Sequence, residues 1–274
     1  MKILNAMITF RAISILILFT LSTSFLNAQS VILAKHPAEK VEICILYDNY
    51  VCTPGTESDW GFSCLIEADE QQILFDAGTK PDILMKNIGI TKTDISEIDQ
   101  IFISHNHGDH TGGLWAILGE KSEIPVHLPH PPASGLKTRI AQLGGIASSN
   151  EKPFALTDHI WSGGTMGGMI HEQCVVIHHK KGLVVVAGCS HPGISEMLKQ
   201  IKDEFGQNIY AVLGGFHLMM HSKKQIEKII GEFRDMGIKK CGCTHCTGEK
   251  QIQQFREAFG NDFVEMGTGR RITI

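Results

Sequence analysis

The chain has no run of five or more lysines and arginines, so it lacks the basic track with which proteins follow a phosphate backbone. With 25 basic against 29 acidic residues and a formal net charge of −4, nucleic acid is not expected as a partner. Sustained heptads, low-complexity tracts and strict internal repeats are also missing, which excludes coiled-coil, collagen-like and disordered organisation. No second paired cysteine cluster accompanies Cys241-Gly242-Cys243-Thr244-His245-Cys246, and a structural four-cysteine zinc site needs one. The glycine-rich run from Gly163 to Gly168 lacks the Lys-Ser/Thr ending of a phosphate-binding P-loop, and reads as a flexible loop. The apolar stretch Ile13 to Leu21, diluted by Ser14 and Thr20, falls short of the roughly 20 residues that span a membrane.

What is present is an ordinary globular composition, 274 residues with 43% hydrophobic and 20% charged side chains. A chain of this size buries roughly three quarters of the surface its unfolded form exposes, so its core needs no covalent staples. Residues 1–28 contain no acid, carry Lys2 and Arg11 early, and end in the small polar stretch Asn27-Ala28, the layout of a secretory signal peptide. Residues 29–274 are then expected as one exported domain, periplasmic or secreted, with no stable membrane association after cleavage. Export would permit disulfides, and Cys44, Cys52 and Cys64 lie close enough in sequence to pair two at a time or to stay as buried thiols.

The spacing predicts strands over Val41 to Tyr47, Gly61 to Ala68 and Gln72 to Asp76, a helix over Pro81 to Ile88, and a strand over Ile98 to Ser104. A short helix from Leu114 to Leu118 follows. Gly119 to Glu172, with Pro125, Pro129, Pro131 and Pro132, reads as an irregular insertion or lid. Strands are predicted over Cys174 to His178, Leu183 to Ala187 and Tyr210 to Leu213, near Ile238 and near Phe263. Helices are predicted over Ile194 to Phe205, Lys223 to Met236 and Glu249 to Phe259. Four times a strand ends in a His-bearing turn and enters a helix, and open α/β sheets gather such turns at one edge.

Fourteen histidines is a high count, and the informative ones cluster. His105-Asn106-His107-Gly108-Asp109-His110 places four potential metal ligands in six residues, immediately after the apolar Ile101-Phe102-Ile103. Imidazole and carboxylate suit zinc, and also iron or manganese. In an extended segment His105 and His107 point the same way, whereas Asp109 and His110 fall where the chain turns into a helix, so the segment can serve two ions. His36, His127, His130, His159, His171, His178, His179 and His221 show no paired ligand spacing and are expected on the surface or in loops.

This motif, with Phe75-Asp76-Ala77-Gly78 before it and Thr111-Gly112-Gly113 after it, resembles the hallmark of the metallo-β-lactamase-fold superfamily. Asp48-Asn49, Trp60-Gly61-Phe62-Ser63, Gly188-Cys189-Ser190-His191-Pro192-Gly193-Ile194, Gly214-Gly215-Phe216-His217-Leu218 and His245-Cys246-Thr247-Gly248 narrow it. Together they are similar to the subgroup of 7,8-dihydropterin-6-methyl-4-(β-D-ribofuranosyl)-aminobenzene-5'-phosphate synthases, over about Val41 to Gly267. The resemblance implies an α/β fold, an αββα sandwich with a dinuclear metal site at the strand ends. It implies His105, His107 and His191 as ligands of one divalent ion and Asp109, His110 and His245 as ligands of the other, with zinc favoured and iron or manganese open. Where an Asp often follows a Gly to bridge the two ions, Gly188 is followed by Cys189, leaving either a thiolate or only a hydroxide as the bridge.

The candidate catalytic residues are Asp109, which would also orient the nucleophile, and His217, a substrate contact. Asp76 is the expected hydrogen-bond partner behind a ligand histidine. The expected function is that of an exported metal-dependent hydrolase acting on a small-molecule ester, phosphoester, lactone or lactam. The subgroup's activity, a synthase of the transferase type, is the alternative, and a non-enzymatic envelope metal-binding protein is the third.

Overall fold

The computed structural model describes Val31, Leu33 and residues 36–274; the signal segment expected over residues 1–28 lies outside them. The chain forms β1 (Val41–Tyr47), β2 (Ser63–Ala68), β3 (Gln71–Phe75), α1 (Pro81–Thr91), β4 (Gln100–Phe102), α2 (Gly108–Thr111), α3 (Leu114–Glu120), β5 (Pro125–Pro129), α4 (Leu136–Gln142), β6 (Ile146–Asn150) and β7 (Phe154–Ala155). It continues through β8 (Ile160–Met166), β9 (Glu172–His179), β10 (Gly182–Ala187), α5 (Ile194–Phe205), β11 (Ile209–Gly215), α6 (Lys223–Asp235), β12 (Lys240–Thr244), α7 (Glu249–Phe259) and β13 (Arg271–Thr273). Seven strands pair in the order β13-β1-β2-β3-β4-β5-β6, and six in the order β12-β11-β10-β9-β8-β7. No helix among the described residues is long and apolar enough to cross a membrane.

Strand alternation dictates the layering. In β1, Ile43 and Ile45 face the second sheet and meet Val184, Val186, Ala211 and Leu213 in an inter-sheet core. Cys44 and Leu46 point the other way, against Leu84 and Ile88 of α1 and Leu114 and Ile117 of α3. On the far side Leu183, Val185 and Ala187 of β10 pack under Met197 and Ile201 of α5, Ile226 and Phe233 of α6, and Phe255 of α7. Both strand faces are therefore apolar, as buried strands require, and the result is the expected αββα sandwich.

Several expectations fail. Residues 119–172 are not an irregular lid: they supply β5 and β6 to the first sheet and β7 and β8 to the second, with Pro125 and Pro129 at the ends of β5. The glycine-rich run lies largely within β8, where the missing side chain of Gly163 leaves room for Ile201 and Cys174 of the core. Phe263 makes only an isolated bridge to Cys241, and the last strand is β13, three residues antiparallel to β1. All eight cysteines are free thiols, so no pairing forms among Cys44, Cys52 and Cys64. Three of the histidines expected at the surface or in loops lie in strands: His178 and the buried His179 in β9, and His127 in β5, which bonds Gln100 and Ser148, with burial lowering its pKa to about 4.

The two sheets are tied together at the site edge by Asp48, which is fully buried just after β1. Its carboxyl accepts from the Thr244 hydroxyl at 2.7 and 2.8 Å and from the Tyr50 N–H at 3.1 Å. Burial pushes the pKa up to about 7, against the lowering effect of those donors. A raised folded-state pKa contributes stability that is fully present below the unfolded value near 3.8 and is lost as pH rises through about 7. Asp48→Asn, which mimics the protonated acid, is therefore expected to match the parent in urea unfolding near pH 4 and to exceed it at pH 8. Parallel stability profiles for the two proteins would show that Asp48 is not the titrating group.

Candidate metal centre

The turns that follow β3, β4, β10, β11 and β12 converge at one edge of the sandwich because these strands run parallel within their sheets. Four non-glycine residues in these turns hold left-handed backbone: Asp76 (φ 54°), Ser190 (65°), His217 (53°) and His245 (52°). Such conformations are strained for side chains with a Cβ, and they persist where packing over-determines the turn. Glycines serve where backbone must meet backbone. Gly61 passes so near the Asp109 carbonyl that an added Cβ would lie 2.6 Å from it, and the Phe62 N–H donates to that carbonyl at 3.2 Å.

All six sequence-derived ligand candidates come together, in two groups. His105, His107 and His191 present ligand atoms within 4.8 Å of one another, and so do Asp109, His110 and His245, with the Cys189 thiol as a fourth member. In the first group His105 Nε2 lies 3.1 Å from His107 Nδ1 and 3.2 Å from His191 Nε2. In the second, Cys189 Sγ is 3.2 Å from His110 Nε2, and Asp109 Oδ2 is 3.6 Å from His110 Nε2 and 3.4 Å from His245 Nε2. Cys189 thus sits within the second group. His217 stands outside both, with its ring 4.3 Å from that of His191 and its backbone N–H donating to Cys246 Sγ.

Hydrogen bonds behind the rings set their tautomers. Asp76 is fully buried, and its carboxylate accepts from the Ser104 N–H at 2.6 Å, the Ser104 hydroxyl at 2.7 Å and His110 Nδ1 at 2.6 Å. Having donated its only proton to Asp76, the Ser104 hydroxyl must accept from His105 Nδ1, 2.9 Å away. Asn49 Oδ1 accepts from the Gly61 N–H, which fixes the amide's orientation, so His245 Nδ1 must donate to it at 3.0 Å. In three imidazoles Nδ1 therefore faces a partner behind the ring and Nε2 faces inward. That of His245 is buried with no hydrogen-bond partner, an orphaned lone pair of the kind that folded proteins rarely leave without a ligand.

Charge states agree with this arrangement. Burial holds the pKa of His105 far below the ordinary imidazole range and that of His191 at about 4, with neighbouring imidazoles adding to both effects. Burial pushes the Asp109 carboxyl up, but the nearby His245 and His110 imidazoles outweigh it and leave the carboxyl well below its usual range. For His110 burial lowers the pKa, yet the Asp76 carboxylate overcomes it and raises the value to about 9. A ring made this basic by its partner binds a cation more strongly for the same reason that it binds a proton. Neutral imidazoles beside an ionised carboxylate are the forms that ligate metal, and the residues present fit two divalent ions.

One positioning residue carries no local signal in sequence. Glu172, at the start of β9 and fully buried, accepts from the backbone N–H groups of Cys189, Ser190 and His191 at 2.8, 2.7 and 2.7 Å. It thereby fixes the turn that presents Cys189 and His191. Trp60, 46% exposed, lies with its ring 4.9 Å from that of His245 and forms part of the mouth.

Comparison with known proteins agrees with this reading. A family profile described as Anti-Pycsar protein Apyc1 matches residues 55–122. The chain is 32% identical over 268 residues to the 7,8-dihydropterin-6-methyl-4-(β-D-ribofuranosyl)-aminobenzene-5'-phosphate synthase of Methanocaldococcus jannaschii, covering 78% of this chain and 90% of that protein. The crystal structure of Tm1679, described as a metal-dependent hydrolase of the β-lactamase superfamily, superposes with a TM-score of 0.70 at 28% identity, over 85% of this chain and 98% of that one. The metallo-β-lactamase fold protein YhfI from Bacillus subtilis superposes with a TM-score of 0.63 at 13% identity, over 85% and 99%. With the layers, the strand-end histidines and this identity in agreement, the chain belongs to the metallo-β-lactamase-fold superfamily, in the family of the 7,8-dihydropterin-6-methyl-4-(β-D-ribofuranosyl)-aminobenzene-5'-phosphate synthase.

Proposed function

We propose that the protein is an exported hydrolase of a small ester, phosphoester, lactone or lactam. It would hold two divalent ions, zinc first, through His105, His107 and His191 and through Asp109, His110 and His245, with the Cys189 thiol beside the second set. The observation that carries this reading is the set of Nε2 atoms turned inward by the hydrogen bonds of Nδ1 to Ser104, Asp76 and Asn49, beside an ionised Asp109. Two divalent ions held there supply hydroxide at neutral pH and offset the negative charge of the transition state.

The chain's own groups do the positioning. Asp109, with its oxygen between His110 and His245, is placed to accept a hydrogen bond from a nucleophilic water and so to aim its lone pair. His217, on the open side of His191, is placed to touch the substrate. The Trp60 ring shields one flank. A second reading, synthesis by group transfer, is favoured by the name of the Methanocaldococcus jannaschii relative, and the same side chains suit it if a second substrate replaces water. Oxygen-18 from labelled water appearing in the product marks hydrolysis; its absence during turnover marks transfer.

Elemental analysis of the protein purified without added metal is expected to find about two ions per chain, with turnover on an ester, phosphodiester or lactam panel. His107→Ala is expected to lose metal and turnover together, and turnover at the parental rate would overturn the ligand assignment. Glu172→Gln turns an NH2 group toward backbone N–H groups that need an acceptor. It is expected to weaken metal binding about 10–100-fold, read by competition with a chromophoric chelator, and unchanged affinity would remove Glu172 from the positioning role.

A further inference from the structure

Cys246 is a buried thiol for which the hydrolase reading has no use. It follows His245 in the turn after β12, while Cys189 stands in the turn after β10, and β11 lies between those two strands. Gly215, at the end of β11, permits the approach across that strand: a Cβ there would lie 2.9 Å from Cys246 Sγ and would run into the Gly188 carbonyl. Cys246 Sγ is fixed from two sides. The His217 N–H donates to it at 3.3 Å, and the Cys189 carbonyl oxygen lies 3.6 Å from it. The left-handed turn at His217, φ 53°, belongs to the same junction. As a result the Sγ atoms of Cys189 and Cys246 and a ring nitrogen of His217 lie within 4.8 Å of one another. His217 is exposed, so the group opens to solvent on that side.

Donor atoms around one ion, with metal–sulfur bonds of about 2.3 Å and metal–nitrogen bonds of about 2.0 Å, stand about 3.5–4 Å apart. This group can therefore close on an ion with little movement. Its chemistry differs from that of the other two groups, since two of its three donors are sulfur and none is oxygen. The carboxylates of the cluster are committed elsewhere: Asp109 Oδ2 lies between His110 and His245, and Glu172 accepts three backbone N–H groups. No fourth His, Cys or carboxylate joins the three among the described residues. Three donors weighted to sulfur suit copper(I), a soft ion content with three ligands, better than zinc, which takes four, or magnesium and calcium, which take oxygen. Met219, 50% exposed, and Met220, 95% exposed, follow His217 by two and three residues. They put thioethers, which soft ions also favour, at the surface nearby.

We infer that Cys189, His217 and Cys246 form a third metal site, for copper(I). Binding forms two copper–sulfur bonds and one copper–nitrogen bond, and the two thiol protons leave to solvent. A thiolate sulfur has lone pairs enough to bridge, so Cys189 can serve this ion and the neighbouring second group together. Imidazole has two ring nitrogens, and ligation through one leaves the other for the substrate contact assigned to His217. The run from Cys241 to Cys246 thus contributes to a sulfur-bearing site after all, with its partner cysteine arriving from the turn after β10.

The test is titration of copper(I) under reductant, in competition with a chromophoric copper(I) chelator, into the protein as purified with its divalent ions and into the same protein stripped of metal. About one copper(I) per chain is expected, with the divalent ions retained in the first sample. Cys246→Ser and His217→Ala are each expected to weaken copper(I) binding on the order of 100-fold, with the divalent-ion content as in the parent. Parental copper(I) affinity in either variant, or release of a divalent ion for each copper(I) taken up, would overturn the site. The stripped sample keeps this outcome separate from the hydrolase reading: a chain that held no divalent ions but bound copper(I) through Cys246 would sink the dinuclear assignment and leave this one standing.

Discussion

The carboxylate of Asp76 is the interaction on which the rest of the site depends. It is wholly buried, and a buried charge persists only when its oxygens are satisfied. Here a backbone N–H, a hydroxyl and an imidazole do so. Each donor transmits a constraint. The Ser104 N–H locks the end of β4 to the turn after β3. The hydroxyl, once committed to Asp76, dictates which nitrogen of His105 carries the proton, and His110 is held directly. One carboxylate thereby orients an imidazole in each of the two ligand groups, and it does so from behind the loop, where it leaves the open side free.

The same accounting explains why the site calls for cations. Asp76, Asp109 and Glu172 lie within one polar cluster, and none of them is paired with a lysine or arginine among the described residues. Glu172 is satisfied by three N–H donors, and burial still pushes its carboxyl above the ordinary range. Anions gathered in a low-dielectric pocket repel one another unless positive charge is brought in. Among the side chains only the imidazoles can bring it, and two of them are held neutral by burial. Divalent ions bound at the two ligand groups would supply that charge.

Sequence carried the site further than it carried the fold's edges. The His105 to His110 motif is legible because its ligands are adjacent in the chain, and the helices Ile194–Phe205 and Glu249–Phe259 have their predicted bounds because amphipathic spacing marks them. Asp48-Asn49 stood out as a motif, but its role depends on contacts 196 residues away, with Thr244 and His245. Glu172 left no local signal, since what it satisfies is backbone in the turn after β10. Between residues 119 and 172 the strands are short, several lie at or near sheet edges, and proline and glycine interrupt them, so the alternation that marks a strand never runs long enough to show. β13 escapes for the same reason: three residues recruited by β1 carry no pattern of their own.

The two ligand groups also differ in charge, and the difference bears on how the work is divided. His105, His107 and His191 are neutral donors, and they leave the full charge of a bound cation to act on a substrate oxygen. Asp109 is anionic and sits between His110 and His245, with a thiol beside it, so the second group offsets part of the charge it receives. Softer sulfur and imidazole donors there also favour zinc over magnesium or calcium. The position nearer His217 would then be the more electrophilic one, and the better-neutralised position lies on the side of Trp60. The asymmetry arises from one substitution of chemistry along the motif, carboxylate for imidazole at Asp109, within a loop whose backbone Asp76 holds in place.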